Sequence, residues 1–158
     1  MKNRIPTLTL LLAAAVLLPS SVHAQMLDAK VISLDAAKKI AAAAEAEARK
    51  RGWTVAIAVV DLSGGLILFQ RLDDVQAASL DLAIAKARTA ARFKRPTKAL
   101  SDGIAAGRLA LLAAEGYLPL EGGVPVTVDG KVVGAVGVSG VTSEQDAIVA
   151  QAGADAIR

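Results

Sequence analysis

Two short turns constrain this chain more than any other feature of it. Asp129-Gly130 separates the apolar runs 124–128 and 131–138, and Ser63-Gly64-Gly65 separates the β-rich runs 53–61 and 66–72. An Asp-Gly pair between apolar runs is the strongest short-range hairpin signal, because a tight two-residue turn needs positive φ at both positions. Links this short cannot carry a parallel crossover, which needs a dozen or more residues. The sheet must be antiparallel, which argues against a doubly wound parallel fold. Ala56, Ile57, Ala58, Val59 and Val60 are apolar without alternation, so a layer is expected on each face of that strand.

Helical spacing fills the remainder. Ser33 is placed as an N-cap with Asp35 in the first turn. Ala36, Ala37, Ile40, Ala41 and Ala44 then recur on one face as far as Gly52, a C-terminal stop. Leu80, Ala83, Ile84, Ala87 and Ala91 mark a second helix that ends near Pro96. Leu100, Ile104, Gly107, Leu111 and Ala114 mark a third, from about Ala99 to Glu115. Thr142 and Ser143 open a last helix, 144–157, with Gln145 and Asp146 set for a capping box or its acidic equivalent. The order is helix, two strands, two helices, two or three strands, helix, an α/β chain of the α+β kind. The last helix has only a narrow polar stripe, Glu144, Gln151 and Asp155. A helix apolar on most sides is buried on most sides, and in so small a domain that predicts a subunit interface and a homo-oligomer.

The first 24 residues stand apart. Lys2 and Arg4 precede an almost unbroken apolar run from Leu8 to Leu18, and Val22-His23-Ala24 puts small residues at −3 and −1 of a cut before Gln25. That is the three-part layout of a secretory signal peptide, and the run is shorter than the ~20 residues of a membrane-spanning helix. The expected mature chain, residues 25–158, is periplasmic or secreted, spans no membrane and forms one domain. Without Lys2 and Arg4 the 18 basic residues become 16 against 15 acidic ones, so there is no general footprint for nucleic acid. The same cut removes His23, the one histidine, and the chain has no cysteine. A chain starting at Gln25 therefore excludes disulfides, zinc sites built on imidazole and thiolate, and Cys–His or Ser–His–Asp catalysis.

Gly134, Gly137 and Gly140 run from a strand towards a helix, but their spacing of three and three is not the dinucleotide fingerprint of two and then three. Gly134 and Gly137 read instead as places where a neighbouring helix approaches the strand closely. Residues 86 to 98 hold Lys86, Arg88, Arg92, Lys94, Arg95 and Lys98 with no acidic residue among them. Arg88 and Arg92, one turn apart, flank the apolar face of their helix, and Lys86 lies on the other flank. Such a cluster either holds the carboxylates or phosphates of a ligand or is a solvated helix edge. Gly122-Gly123 is either a plain turn or a point where a ligand or another chain comes close. Tyr117, just before it, offers either a phenolate ligand or a half-buried packing residue. No catalytic residue is assigned, and no metal site is specified.

Five segments follow one another along the chain: Val59-Val60-Asp61 with Gly64-Gly65, Arg71-Leu72-Asp73, Lys86-Ala87-Arg88-Thr89-Ala90, Gly122-Gly123-Val124-Pro125-Val126, and Gly134 to Gly140 followed by Asp146. In this order and spacing they resemble the GlcG/HbpS haem-binding family, also described as a haem-degrading domain and related to the C-terminal domain of PduO. The resemblance covers residues 33 to 158. It implies a profilin-like fold with an antiparallel sheet flanked by helices, oligomeric assembly, and haem or a related tetrapyrrole as ligand. It adds Arg71 to Lys86, Arg88, Arg92, Tyr117, Gly122 and Gly123 as candidate ligand-binding residues. Two departures stand out. Asp73-Asp74-Val75 replaces the familiar Asp-Gly-Ala, and without a mature histidine any haem iron must be held by another atom or by none.

Three functional readings follow. The first is an exported binding protein for haem or another planar anionic ligand, in sequestration, sensing or slow degradation. The second is a structural or regulatory oligomer without a small ligand. The third is an auxiliary enzyme of small hydroxy-acid metabolism using Lys86, Arg88 or Asp61, although no acid–base pair is visible. The leader makes an immediate prediction: mass analysis of the exported protein should find Gln25 at its N-terminus, and an intact Met1 form held in the membrane would contradict it.

Overall fold

The computed structural model describes residues 29–157; the proposed leader, 1–24, lies outside them. Strands β1 (Ala56–Asp61) and β2 (Leu66–Arg71) form one hairpin, β3 (Gly123–Val128) and β4 (Lys131–Ser139) the other. The sheet order is β2-β1-β4-β3, antiparallel throughout, so the hairpins join through their inner strands. Asp129 and Gly130 sit at φ 49° and 73°, as the two-residue turn requires. Asp61 closes the other turn, accepting from Ser63 N at 2.8 Å, Ser63 Oγ at 2.6 Å and Gly65 N at 2.9 Å. These bonds, the one from the Ser63 hydroxyl foremost, hold its carboxyl below the ordinary value. Because Asp61 pairs with Gly134, both turns lie at one end of the sheet.

Helices α1 (Leu34–Lys50) and α4 (Ser143–Asp155) cover one face of the sheet and α2 (Ala78–Phe93) the other. Ile57, Val59, Val136 and Val138 pack with Ile40, Ala44 and Val149, while Ala56, Ala58, Val60 and Ala135 pack with Ala83, Ala87, Ala90 and Ala91. Burial on both faces is why β1 reads as a continuous apolar run. Ser33 caps α1 by accepting from Ala36 N, and Gly52 follows it at φ 69°. Thr142 and Gln145 make both bonds of the capping box that opens α4.

Two expectations change. The apolar girth of α4 is taken up largely within the chain, by α1, β3 and β4, leaving one exposed stripe of Glu144, Ile148, Gln151 and Asp155. Ala150 and Ala154 lie in the core. The third helix is shorter than its spacing predicts. Helix α3 (Thr97–Ala105) stops where Gly107 takes φ 92°, and Arg108 N bonds back to Gly103 O at 2.9 Å, a glycine-terminated cap. A separate 3₁₀ turn, Leu109–Ala113, follows and leaves Leu109 and Leu112 exposed. Helix α2 ends near Pro96 as expected, on Lys94 in the left-handed region, and Pro96 itself is the N-cap of α3.

The seam between α2 and the sheet is built from small residues. A Cβ added at Gly137 would lie 2.2 Å from the Ala83 carbonyl oxygen and 2.4 Å from Ala87 N, so the helix backbone rests directly on the strand. Gly134 is tight for another reason: its neighbours are the Val60 carbonyl at 2.3 Å and the Ile32 side chain at 2.5 Å. Gly137→Ala should lower stability by at least about 1–3 kcal/mol, the usual scale of core overpacking. Urea denaturation would measure it, and an unchanged midpoint would contradict so close an approach.

Candidate ligand site

Lys86 is the most buried charge in the described chain. Its side chain is 1% exposed, and Nζ donates to Asp146 Oδ2 at 2.7 Å and to the Val138 carbonyl at 3.1 Å. Rather than lying along a helix flank, it reaches past β4 and ties α2 on one face of the sheet to the first turn of α4 on the other. Asp146 also accepts from Val141 N at 3.2 Å. Burial pushes its carboxyl above the ordinary value, while the Lys86 ammonium and the Val141 N–H pull the other way.

This pair accounts for the double glycine. A Cβ at Gly122 would fall 2.8 Å from Lys86 Nζ, and one at Gly123 would fall 2.3 Å from the Lys86 carbonyl oxygen. Gly122 has φ 123°, and Gly123 N donates to Thr97 Oγ1 at 2.9 Å. What the glycines admit is therefore Lys86 and its helix.

Arg88 and Arg92 project from the opposite flank of α2. Arg88 Nε donates to the Gly64 carbonyl at 3.1 Å and Arg92 Nε to the Ser63 carbonyl at 2.9 Å, so both hold the β1–β2 turn. Arg71 is exposed at the far end of β2, roughly 17 Å along the strand from that turn at ~3.3 Å per residue. Tyr117 is half-buried, its ring centroid 5.1 Å from that of Phe93, and its hydroxyl donates to the Leu111 carbonyl. Beside it Leu118 N donates to Thr89 Oγ1 at 2.7 Å, fastening this loop to α2. The seven candidates thus fall into separate places: Lys86 with Gly122 and Gly123, Tyr117 against Phe93 near the end of α2, Arg88 with Arg92 at the turn, and Arg71 alone. Lys86, Arg88 and Asp61, the groups the enzymatic reading needs, each already serve the fold.

A concavity that no sequence motif pointed to lies at the hairpin end of the sheet. It encloses about 760 Å³ between the end of α2, the β1–β2 turn and the β3–β4 hairpin, lined by Lys30, Leu62, Lys94, Val128, Asp129, Lys131, Val132 and Val133 among others. Its volume is that of a small-molecule pocket. Lys30 is bonded to Asp129, whose carboxyl it holds below the ordinary value. The ion pairs among the described residues include neither Lys94 nor Lys131. Lys94 belongs to the basic run already noted, but only the fold brings Lys30, Leu62, Lys94 and Lys131 together.

Comparison with known proteins places this geometry. The family described as "Haem degrading protein HbpS-like" matches residues 32–155. The chain belongs to this HbpS-like family. Protein GlcG of Escherichia coli strain K12 is 46% identical over 109 residues, 69% of this chain and 81% of GlcG. A double mutant of Streptomyces reticuli HbpS superposes with TM-score 0.78 at 36% identity, over 84% of this chain and 91% of that one. The PduOC:haem complex superposes with TM-score 0.73 at 29% identity, over 82% of this chain and 96% of that one. The expected α+β fold with helices flanking an antiparallel sheet is that of these HbpS-like structures. Asp74, where the familiar pattern has glycine, takes φ 60°. Aspartate enters this region more readily than most residues, so the turn keeps a left-handed residue without glycine.

The buried pair makes a sharp prediction. Lys86→Met or Asp146→Leu alone should cost about 3–5 kcal/mol, because each strands a buried charge, whereas the double variant should lose much less than their sum. A double-mutant cycle in urea would show it; additive losses would mean the two groups are not coupled.

Proposed function

We propose that this HbpS-like protein binds haem or a related planar anionic tetrapyrrole, acting outside the cytoplasm in sequestration, sensing or slow degradation. The observation that carries the reading is the match of nearly the whole described chain to a haem-degrading family, together with the similarity to a PduO domain bound to haem. Export rests on the leader, and assembly on exposed Leu109, Leu112 and Leu120, which a second copy would cover.

The residues suit the ligand in part. Apolar walls and basic side chains at the hairpin end match a tetrapyrrole's body and its carboxylates. Strong iron ligands are another matter. Residues 25–158 contain neither histidine nor cysteine, the Tyr117 hydroxyl is bonded to the Leu111 carbonyl, and no cluster of three or more potential metal ligands occurs among the described residues. Bound haem would supply its own redox-active iron. The chain would contribute burial of the apolar body, neutralisation of the carboxylates and exclusion of water.

Haemin added to the protein should therefore give a broad high-spin absorption spectrum rather than the sharp low-spin form of bis-histidine haem. Tyr117→Phe should leave that spectrum unaltered, since the hydroxyl serves the loop. A spectrum indistinguishable from haemin with an unrelated control protein would remove the haem reading and leave the oligomeric scaffold in its place.

A further inference from the structure

We propose that the hairpin-end cleft is the ligand's seat and that it selects a planar apolar dicarboxylate without regard to a central metal. The proposal rests on the tetrapyrrole reading and deepens it. Its first support is shape and chemistry: the cleft of about 760 Å³ has Leu62, Val128 and Val132 on its walls and Lys94 and Lys131 on its lining. Lys94 and Lys131 stand outside the ion pairs among the described residues, whereas the Arg88 and Arg92 Nε–H groups are committed to the β1–β2 turn.

Charge is the second support. Three ammonium groups, those of Lys30, Lys94 and Lys131, stand against the Asp129 carboxylate, which leaves two positive charges for two carboxylates. Asp129 is itself neutralised by Lys30, so it does not repel an entering anion strongly. The third support is the donor set. The lining contains no imidazole, thiolate, thioether or phenol, its one carboxylate, Asp129, is paired with Lys30, and a protonated lysine has no lone pair to offer a metal. Binding energy must then come from burial of the planar body and from charge-assisted hydrogen bonds to its carboxylates. None of these contacts distinguishes an iron porphyrin from the free base.

The test is a pair of titrations of the purified protein, haemin followed by absorbance and protoporphyrin IX by its own fluorescence. They are repeated with Lys94→Glu/Lys131→Glu and with a control of equal charge change on α1, Lys38→Glu/Lys39→Glu. All four lysines are exposed, and thermal unfolding would check that each variant folds. The expected result is that both ligands bind with dissociation constants within about threefold of each other. The hairpin-end variant should weaken both by at least about tenfold, and the α1 variant should weaken neither. Haemin binding more than about thirtyfold tighter than protoporphyrin IX would overturn metal indifference and leave the haem reading standing. Undiminished binding by the hairpin-end variant would overturn the seat. Failure of both ligands to bind would take down the tetrapyrrole reading itself.

Discussion

A lysine ammonium removed from water must find its solvation inside the protein. In this molecule Lys86 finds it in the Asp146 carboxylate and the Val138 carbonyl. Much of the structure is arranged around that requirement. The ammonium must pass the β3–β4 side of the sheet, so the backbone there carries Gly122 and Gly123 with no side chain to obstruct it. The carboxylate must meet it at a defined height, so α4 opens with a full capping box that fixes its first turn. Ion pairs of this kind are poor sources of net stability, because desolvation offsets most of the attraction. What this one does in the fold is geometric. A helix on one face and a helix on the other are bound to the same point, and a sheet packed otherwise would strand two charges.

The hairpin end is organised differently. There Arg88 and Arg92 spend an Nε–H each on carbonyls of the β1–β2 turn, and Asp61 gathers three donors of the same turn from within. Both devices hold backbone, and together they fix the wall that carries Leu62. The lysines around the cleft hold no backbone in this way, and Lys30 bonds only the Asp129 side chain. Basic residues close together in sequence have thus been divided by the fold into those that build the end of the sheet and those left facing the space beside it.

Local chemistry explains what could be read in advance. The Asp129-Gly130 turn, the Ser33 cap and the Thr142–Gln145 box are decided by residues within three positions of one another, and the structure shows all of them. The double coverage of β1 was legible because neither face of that strand carried a polar residue until Asp61. Lys86 was not legible. A lysine on the flank of an amphipathic helix looks the same in sequence whether it snorkels to water or turns inward, and its partner stands sixty positions away. The overlong third helix arose because the apolar spacing runs on through Gly107, while the backbone there takes a conformation that spacing does not register. The cleft was hidden for the plainest reason: four distant segments meet there.

The alanine and glycine seam beneath α2 has a consequence for motion. Alanine and glycine have no rotamers to lose, so joining helix to sheet orders almost no side-chain freedom. The same poverty removes any means of adjustment. A seam of larger side chains accommodates small slips by changing rotamers, but Gly137 meets the backbone of Ala83 and Ala87 directly. Moving α2 by one residue would drive a Cβ or a longer chain into the strand. The helix is therefore held in register along its axis, and Lys94 at its C-terminal end keeps a fixed spacing from the buried Lys86 and Asp146.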